Sequence, residues 1–502
     1  MSRPRTLKEL KATAYRSRSV RDEMRENLIA RLRSGAAMFA GVVGYEHTVE
    51  PQIANAILSR HDFILLGLRG QAKTRLLRSL VQFLDEWVPM VEGCPLNSDP
   101  FHPLTHHARV ALETHGDATP LAWLHRDQRY QEKLATPDVT IADLIGDIDP
   151  IKAATMRLDY SDERVIHYGI IPRSNRGIFA INELPDLQPR IQVGLLNILE
   201  EKDFQIRGFP VRMPLDVMIV FSANPEDYTN RGNIITPLRD RINSQIITHY
   251  PLTREQGMQI TAQESWTQRD AGPEVVIPTF MRELVEEVAI QARKSEYVDQ
   301  NSGVSARLPI ALIENLVSNA ERRALKTGEA RVATRVCDLQ QAVSAVSGKV
   351  ELVLEGEQEG TLNVARALLG RGVKSLFSQR FPDAYKPRRG RRSQAAAGEG
   401  EEPLATSEYR PVLEWFASGN HLEIADDMPQ AEFAKQLSGV KGLASLADKY
   451  LEPKNGEEAA VAMELVLEGL HQNSMLSRER SEVSGTSYKD MLKSMLSGLG
   501  ED

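Results

Sequence analysis

Three unbroken apolar runs organise the first half of the chain: "FILLGL" (63–68), "GIFAINEL" (177–184) and "VMIVFSAN" (217–224). Runs of this length without polar alternation are typical of parallel strands covered on both faces. Between them lie helical patterns such as "LQPRIQVGLLNILEE", which puts Ile191, Leu195, Ile198 and Leu199 on one side. Strands alternating with amphipathic helices predict a doubly wound α/β domain over about residues 36–255. Ahead of it, residues 1–35 form a basic arm, in which Val20, Met24, Leu28 and Leu32 recur every four positions. That spacing predicts a helix ending at Gly35, docked on the next domain. Residues 256–385 read as a helical domain with an extension. The stretch 386–407, containing "KPRRGRRSQAAAGEGEEP", reads as a flexible linker. Residues 408–502 return to helical patterning, with no assignable role.

Composition narrows the class. With 502 residues and 41% hydrophobic side chains, the chain is long enough for several domains. Its net charge of −8 argues against a protein that coats nucleic acid, although the arm and "KPRRGRR" are locally basic. Only Cys94 and Cys337 are present, which fits a reducing compartment. The N-terminus lacks the apolar core of a signal peptide, and no apolar run approaches the roughly 20 residues needed to span a bilayer. These features predict a soluble cytoplasmic protein. "GCPLNSDPFHPLTHHAR" holds Cys94, His102, His106 and His107, but in no strong zinc-ligand spacing, so it is expected to be a surface loop.

The first apolar run ends in Gly67-Leu68-Arg69-Gly70-Gln71-Ala72-Lys73-Thr74, one residue away from the phosphate-binding pattern GxxxxGK[ST]. Gly67 and Gly70 permit backbone angles closed to other residues, so successive N–H groups can face phosphate oxygens. Lys73 is placed to reach the β- and γ-phosphates and Thr74 to ligate Mg2+. Ala72 replaces the last glycine, which is tolerable if that position already lies in the right-handed helix. Alone, the loop leaves open a strand-to-helix turn that matches by chance. The later runs weigh against chance. Glu183 ends the second run, where a water-activating base is needed. Asn224 ends the third, suited to holding that water. "TPLRDRI" then offers Arg239 and Arg241, and "VSARLPIAL" starts a helix with Arg307.

In order, "FAGVVGYEHTVEPQIANAIL", "GLRGQAKT", "GIFAINEL", "FSANPEDY", "LRDRI" and "SARLP" resemble the AAA+ ATPases of the magnesium-chelatase I-subunit and MoxR branch. The resemblance covers roughly residues 36–375. It includes an inserted segment ("TPDVTIADLIGDIDPIKAA", "GIIPRSNRG") and a hairpin ("KDFQIRGFPVRM", with Phe204, Ile206, Phe209 and Val211 about Gly208). It implies a P-loop AAA+ core followed by a helical lid, with ATP and Mg2+ as cofactors. Val43, Gly67, Gly70, Gln71, Ala72, Lys73, Thr74 and Arg75 would contact nucleotide, and Thr74 and Asn182 the metal. Glu183 would act as base, Asn224 would orient water, and Arg307 would neutralise phosphate charge. A trans-acting arginine, preferably Arg241 with Arg239 and Arg231 as alternatives, implies a homo-oligomeric ring, most simply a hexamer. A partner with a von Willebrand factor A domain is implied by resemblance only.

The family carries Asp-Glu where this chain has Asn182-Glu183, so the metal shell loses a negative charge. The expected function is a ring-forming ATPase that remodels or matures a partner protein and turns over slowly. Asn182→Asp is expected to raise its rate. Asp186 is expected to cap the following helix rather than replace the missing carboxylate. Alternatives are a magnesium-chelatase motor subunit, a DNA-acting AAA+ protein, or a non-hydrolysing nucleotide-binding scaffold.

Overall fold

The computed structural model describes residues 3–160, 162–206, 212–224, 233–386, 404–405, 407–480 and 485–491. The chain divides into two compact units, Met1–Tyr250 and Pro251–Asp502.

The first unit is built on five parallel strands: β1 (Phe63–Leu66), β2 (Tyr130–Leu134), β3 (Gly177–Asn182), β4 (Val217–Ala223) and β5 (Ser244–Ile247). Their order across the sheet is β5-β1-β4-β3-β2, with Phe63 opposite Val220 and Val217 opposite Gly177. Side chains alternate between two cores, one on each face. Ile64, Phe179, Ile181, Ile219 and Phe221 join Ile191, Leu195, Ile198 and Leu199 on one side. Phe63, Leu65, Ile178, Ala180, Met218 and Val220 join Val20, Met24, Leu28, Ile53, Leu76 and Leu77 on the other. Burial on both faces is why these strands read as continuous apolar runs. The second face is covered by α1 (Val20–Ser34), α2 (Val49–Leu58) and α3 (Lys73–Ser79). The first is covered in part by α4 (Pro189–Gly194) and α5 (Leu196–Glu200), which the sequence pattern reads as one helix.

The arm helix α1 has the expected limits: the Ser19 hydroxyl accepts from Asp22 N–H, and Gly35 closes the C-terminus in the left-handed region. Its first amide donates to both oxygens of Asp216, at 3.1 and 2.9 Å, and buried Glu23 pairs with buried Arg129 at 2.6 Å. Leu32, expected on the buried stripe, is 49% exposed. Four-residue steps drift by about 40° around a helix of 3.6 residues per turn, so the fourth member rotates off the face that Val20 anchors. The hairpin appears as Asp203–Phe204 against Met213–Pro214, with Phe204 and Ile206 buried. Its tip, including Gly208, Phe209 and Val211, lies outside the described residues.

The second unit is mainly helical. Helices α7 (Thr279–Arg293), α8 (Arg307–Thr327), α9 (Thr361–Arg380) and α10 (Gly456–Gln472) contribute to one hydrophobic core that runs in sequence from Phe280 to Tyr488; α6 (Thr236–Arg241) belongs to the first unit. The region 256–385, read from sequence as a helical domain, also contains a short parallel pair, Glu274–Val276 with Arg331–Ala333. A three-stranded antiparallel sheet, Leu422–Ile424, Thr486–Asp490 and Leu476–Arg480, accompanies the C-terminal helices. Most of the 386–407 segment lies outside the described residues. No described helix is long and apolar enough to cross a membrane.

Candidate functional site

The loop joining β1 to α3 bends through two left-handed residues, Gly70 at φ 75° and Ala72 at φ 56°, ψ 18°. Ala72 has therefore not entered the right-handed helix, the condition under which the sequence reading found alanine tolerable there. The left-handed conformation costs a residue with a Cβ roughly 1 kcal/mol, so the turn geometry is retained at that cost. Gly67 is required by close approach: a Cβ there would lie 1.9 Å from Thr248 Oγ1 and 2.2 Å from Gln71 Oε1.

The loop is braced from outside by residues that the sequence motifs do not single out. The Tyr45 hydroxyl lies 2.8 Å from both Gln71 O and His249 O. Thr248 Oγ1 donates to Gln71 Oε1 at 2.7 Å, and the Tyr250 hydroxyl donates to Arg69 O at 3.0 Å. The Gln71 side chain is thus held by Thr248, which leaves the loop backbone as its ligand-facing part. Val43, half-buried, precedes Tyr45 by two residues in the segment leading to α2. The only sequence signal for these braces is position: "GYEH" comes just before α2, and "THY" follows β5, the strand beside β1.

Lys73 opens α3 and is 7% exposed. Its ammonium donates to Gly67 O at 2.5 Å, Leu68 O at 3.1 Å and Asn224 Oδ1 at 2.5 Å. Asn224 in turn donates from Nδ2 to Glu183 Oε2 at 2.9 Å. Glu183, the first residue beyond β3, is held at φ 56°. Three of the expected residues, from the tips of three neighbouring strands, therefore meet in one relay. Thr74 is half-buried and Arg75 exposed on the first turn of α3. Asp186 does not cap α4: it closes the short turn Leu184–Asp186, and Gln188 takes the cap position.

Asn182 is the last residue of β3, on the face shared with α3. Its Oδ1 accepts from Ser222 Oγ at 3.0 Å. Glu132, on the adjacent strand β2, lies on the same face two residues before Leu134, the partner of Asn182. Arg78, whose Nε donates to Glu132 Oε2 at 3.0 Å, is the main cause holding that carboxyl below the usual range. Thr74 and Asn182 each carry a neutral oxygen, the donor type that suits a hard cation such as Mg2+.

Of the candidate arginines, Arg241 on α6 pairs with Glu200 on α5 at 2.6 Å, and Arg239 is exposed. Arg231 lies outside the described residues. Arg307 is exposed on the first turn of α8, in the other compact unit. Elsewhere, Cys94 is buried with its sulfur 3.0 Å from Ser98 Oγ and 3.2 Å from Thr105 Oγ1. His102, His106 and His107 are exposed. Among the described residues, no three His, Cys, Asp or Glu side chains gather to hold a metal ion.

Residues 118–242 match the model of the AAA domain, dynein-related subfamily. The first unit contains an AAA+ domain. The family match starts beyond the phosphate loop, so the two are independent indications. This AAA+ chain is 28% identical over 237 residues to the magnesium-chelatase 38 kDa subunit of Cereibacter sphaeroides, covering 46% of this chain and 63% of that one. It is also 28% identical over 206 residues to a magnesium-chelatase subunit ChlI homolog of Methanocaldococcus jannaschii, covering 39% and 52%. The chain thus spans between half and two thirds of the length of these relatives. A solved complex of the magnesium-chelatase subunits BchI and BchD aligns at 18% identity and TM-score 0.33, over 63% of this chain and 97% of that one.

Proposed function

We propose that the chain is a ring-forming ATPase that couples ATP binding and hydrolysis to remodelling or maturation of a partner protein. The observation that carries this reading is the relay Lys73–Asn224–Glu183 at the mouth of a braced phosphate loop. A buried ammonium against loop carbonyls and an amide can transfer its hydrogen bonds to phosphate oxygens without moving the backbone. Glu183 then has Asn224 as its orienting partner and can accept a proton from an attacking water. Mg2+, held by Thr74 and Asn182, would supply charge neutralisation at the β- and γ-phosphates. Arg241 would serve the site of a neighbouring copy, which makes a closed ring, most simply a hexamer, the working form. Arg307 would neutralise phosphate charge from the helical unit. Resemblance to the chelatase and MoxR branch suggests a working partner with a von Willebrand factor A domain.

The test compares wild type with Glu183→Gln in steady-state phosphate release and in nucleotide affinity. Retained affinity with turnover reduced by about 10²–10⁴-fold supports the reading. Equal inertness of the two proteins while ATP still binds would leave a nucleotide-binding scaffold, the alternative to a slow ATPase that Asn182 raises.

A further inference from the structure

The inserted segment and the start of the helix His106–His115 border a cavity of about 290 Å3. Three cations, Lys152, Arg164 and Arg173, line it against one carboxylate, Glu163. That carboxylate is already engaged. Its Oε1 accepts from His106 N–H, at the N-terminus of the helix, at 2.6 Å and from the Tyr168 hydroxyl at 3.2 Å. Its Oε2 accepts from Arg109 at 2.7 Å. The wall of the cavity therefore already binds one glutamate head group, supplied by the chain itself. Arg164 is paired with Asp162 at 2.6 Å. Among the described residues, exposed Lys152 and Arg173 have no carboxylate partner; Arg173 Nε donates only to Gly169 O, at 3.2 Å. Buried Ile166 and Tyr168 give the cavity an apolar wall.

The short helix Pro150–Met156, which carries Lys152, also leaves Ile151 and Met156 76% and 48% exposed, and Tyr160 just beyond it is 56% exposed. Large apolar side chains grouped in water beside charge suit contact with another polypeptide rather than with a free ion. We propose that this cavity docks an acidic peptide segment of a partner protein. Glutamate carboxylates of that segment pair with Lys152 and Arg173, and its apolar side chains lie on the helix Pro150–Met156. The docking site shares no residue with the phosphate loop and goes beyond the ATPase reading, so either can fail without the other.

The test follows a fluorescein-labelled peptide of three Glu-Glu-Leu repeats by fluorescence anisotropy with the full-length protein. It is run without nucleotide and at low salt, where exposed charges are least screened. Wild type should bind the peptide. Lys152→Glu combined with Arg173→Glu should weaken binding on the order of tenfold, because two exposed pairs become two repulsions. Both side chains are exposed, so this variant should keep the wild-type melting temperature. Ile151→Ser should weaken binding severalfold. Lys8→Glu combined with Lys441→Glu reverses two exposed lysines outside the cavity and should change binding by no more than about twofold. Equal weakening by the two double reversals would reduce the attraction to the overall field of the protein and overturn the proposal. Displacement of the peptide by pyrophosphate, beyond the effect of sodium chloride at the same ionic strength, would make the cavity a free-anion site and overturn it too. Absence of peptide binding by the wild type would do the same.

Discussion

Two clusters of buried charge, one in each compact unit, use similar groups to different ends. In the AAA+ unit, buried Lys73 is held by main-chain carbonyls and the Asn224 amide at the open tip of the sheet. In the helical unit, Arg323 and Arg335 are fully buried, and their surroundings are closed. Arg323 donates to Asp338 Oδ1 at 2.5 Å and to Ala333 O at 2.7 Å. Arg335 donates to Gln430 Oε1 at 3.1 Å and lies over the Phe433 ring at 3.9 Å. Glu464 accepts from the amides of Val336 and Cys337 at 2.7 and 2.9 Å. The first cluster offers a cation to something that arrives; the second is enclosed in the fold, where Arg335 Nε and Nη1 have no hydrogen-bond partner among the described residues, and it ties residues of 323–338 to residues of 430–464. Burial of a charge therefore does not mark a site. What marks it is whether the partners are replaceable and whether the loop around them is strained.

The sharpest way to break this contrast is Lys73→Ala, which should weaken ATP binding by roughly a hundredfold or more without lowering thermal stability. Calorimetric titration alongside a melting curve separates the two effects. Undiminished ATP affinity in a folded sample would remove the functional half of the comparison. Next in size, Asp338→Ala leaves the buried Arg323 without its carboxylate and should destabilise the helical unit by about 3–5 kcal/mol in denaturant unfolding. Loss of nucleotide affinity in a folded Asp338→Ala protein would show that the second cluster also serves the site.

Glu464 sharpens the contrast through pH. Burial pushes its carboxyl up to about 7 from an ordinary 4.5. The folded chain then binds a proton that the unfolded chain has released, so this residue's contribution is greatest below 4.5 and is lost as pH rises to 7. Glu464→Gln should flatten that part of the stability profile and gain on the order of 2 kcal/mol at pH 8 relative to wild type. An unchanged profile would mean that the carboxyl is not the titrating group. The smallest effect belongs to Ala72→Gly, which removes the left-handed strain. It should raise stability by up to about 1 kcal/mol, offset in part by the entropy of glycine in the unfolded chain, and leave ATP affinity within a few-fold.

The parallel strands, their flanking helices and the phosphate loop were legible in sequence because each depends on local rules. Continuous apolar runs mark strands buried on both faces, and glycine spacing marks the turn that follows. Glu183, Asn224 and Lys73 were legible for the same reason, since each sits at a strand end or a helix start. The helix cap was misassigned to Asp186, because a short turn intervenes and its closure depends on packing beyond the local residues. The backbone angle of Ala72 was not legible, because residue type states a preference while the closure of the loop between β1 and α3 sets the angle.

The amino-acid order by itself thus determined which segments become strands, where the phosphate loop lies and which side chains end the strands. Only the tertiary structure decided that β4 and β3 stand beside β1 and β2 beyond them, and so that Ser222, Asn182 and Glu132 share one row. The same is true of the support that Tyr45, Thr248 and Tyr250 give the loop. Those contacts join residues up to about two hundred positions apart, and no local propensity encodes a neighbour that far along the chain. They arise from the strand order and register, which packing on both faces of the sheet selects.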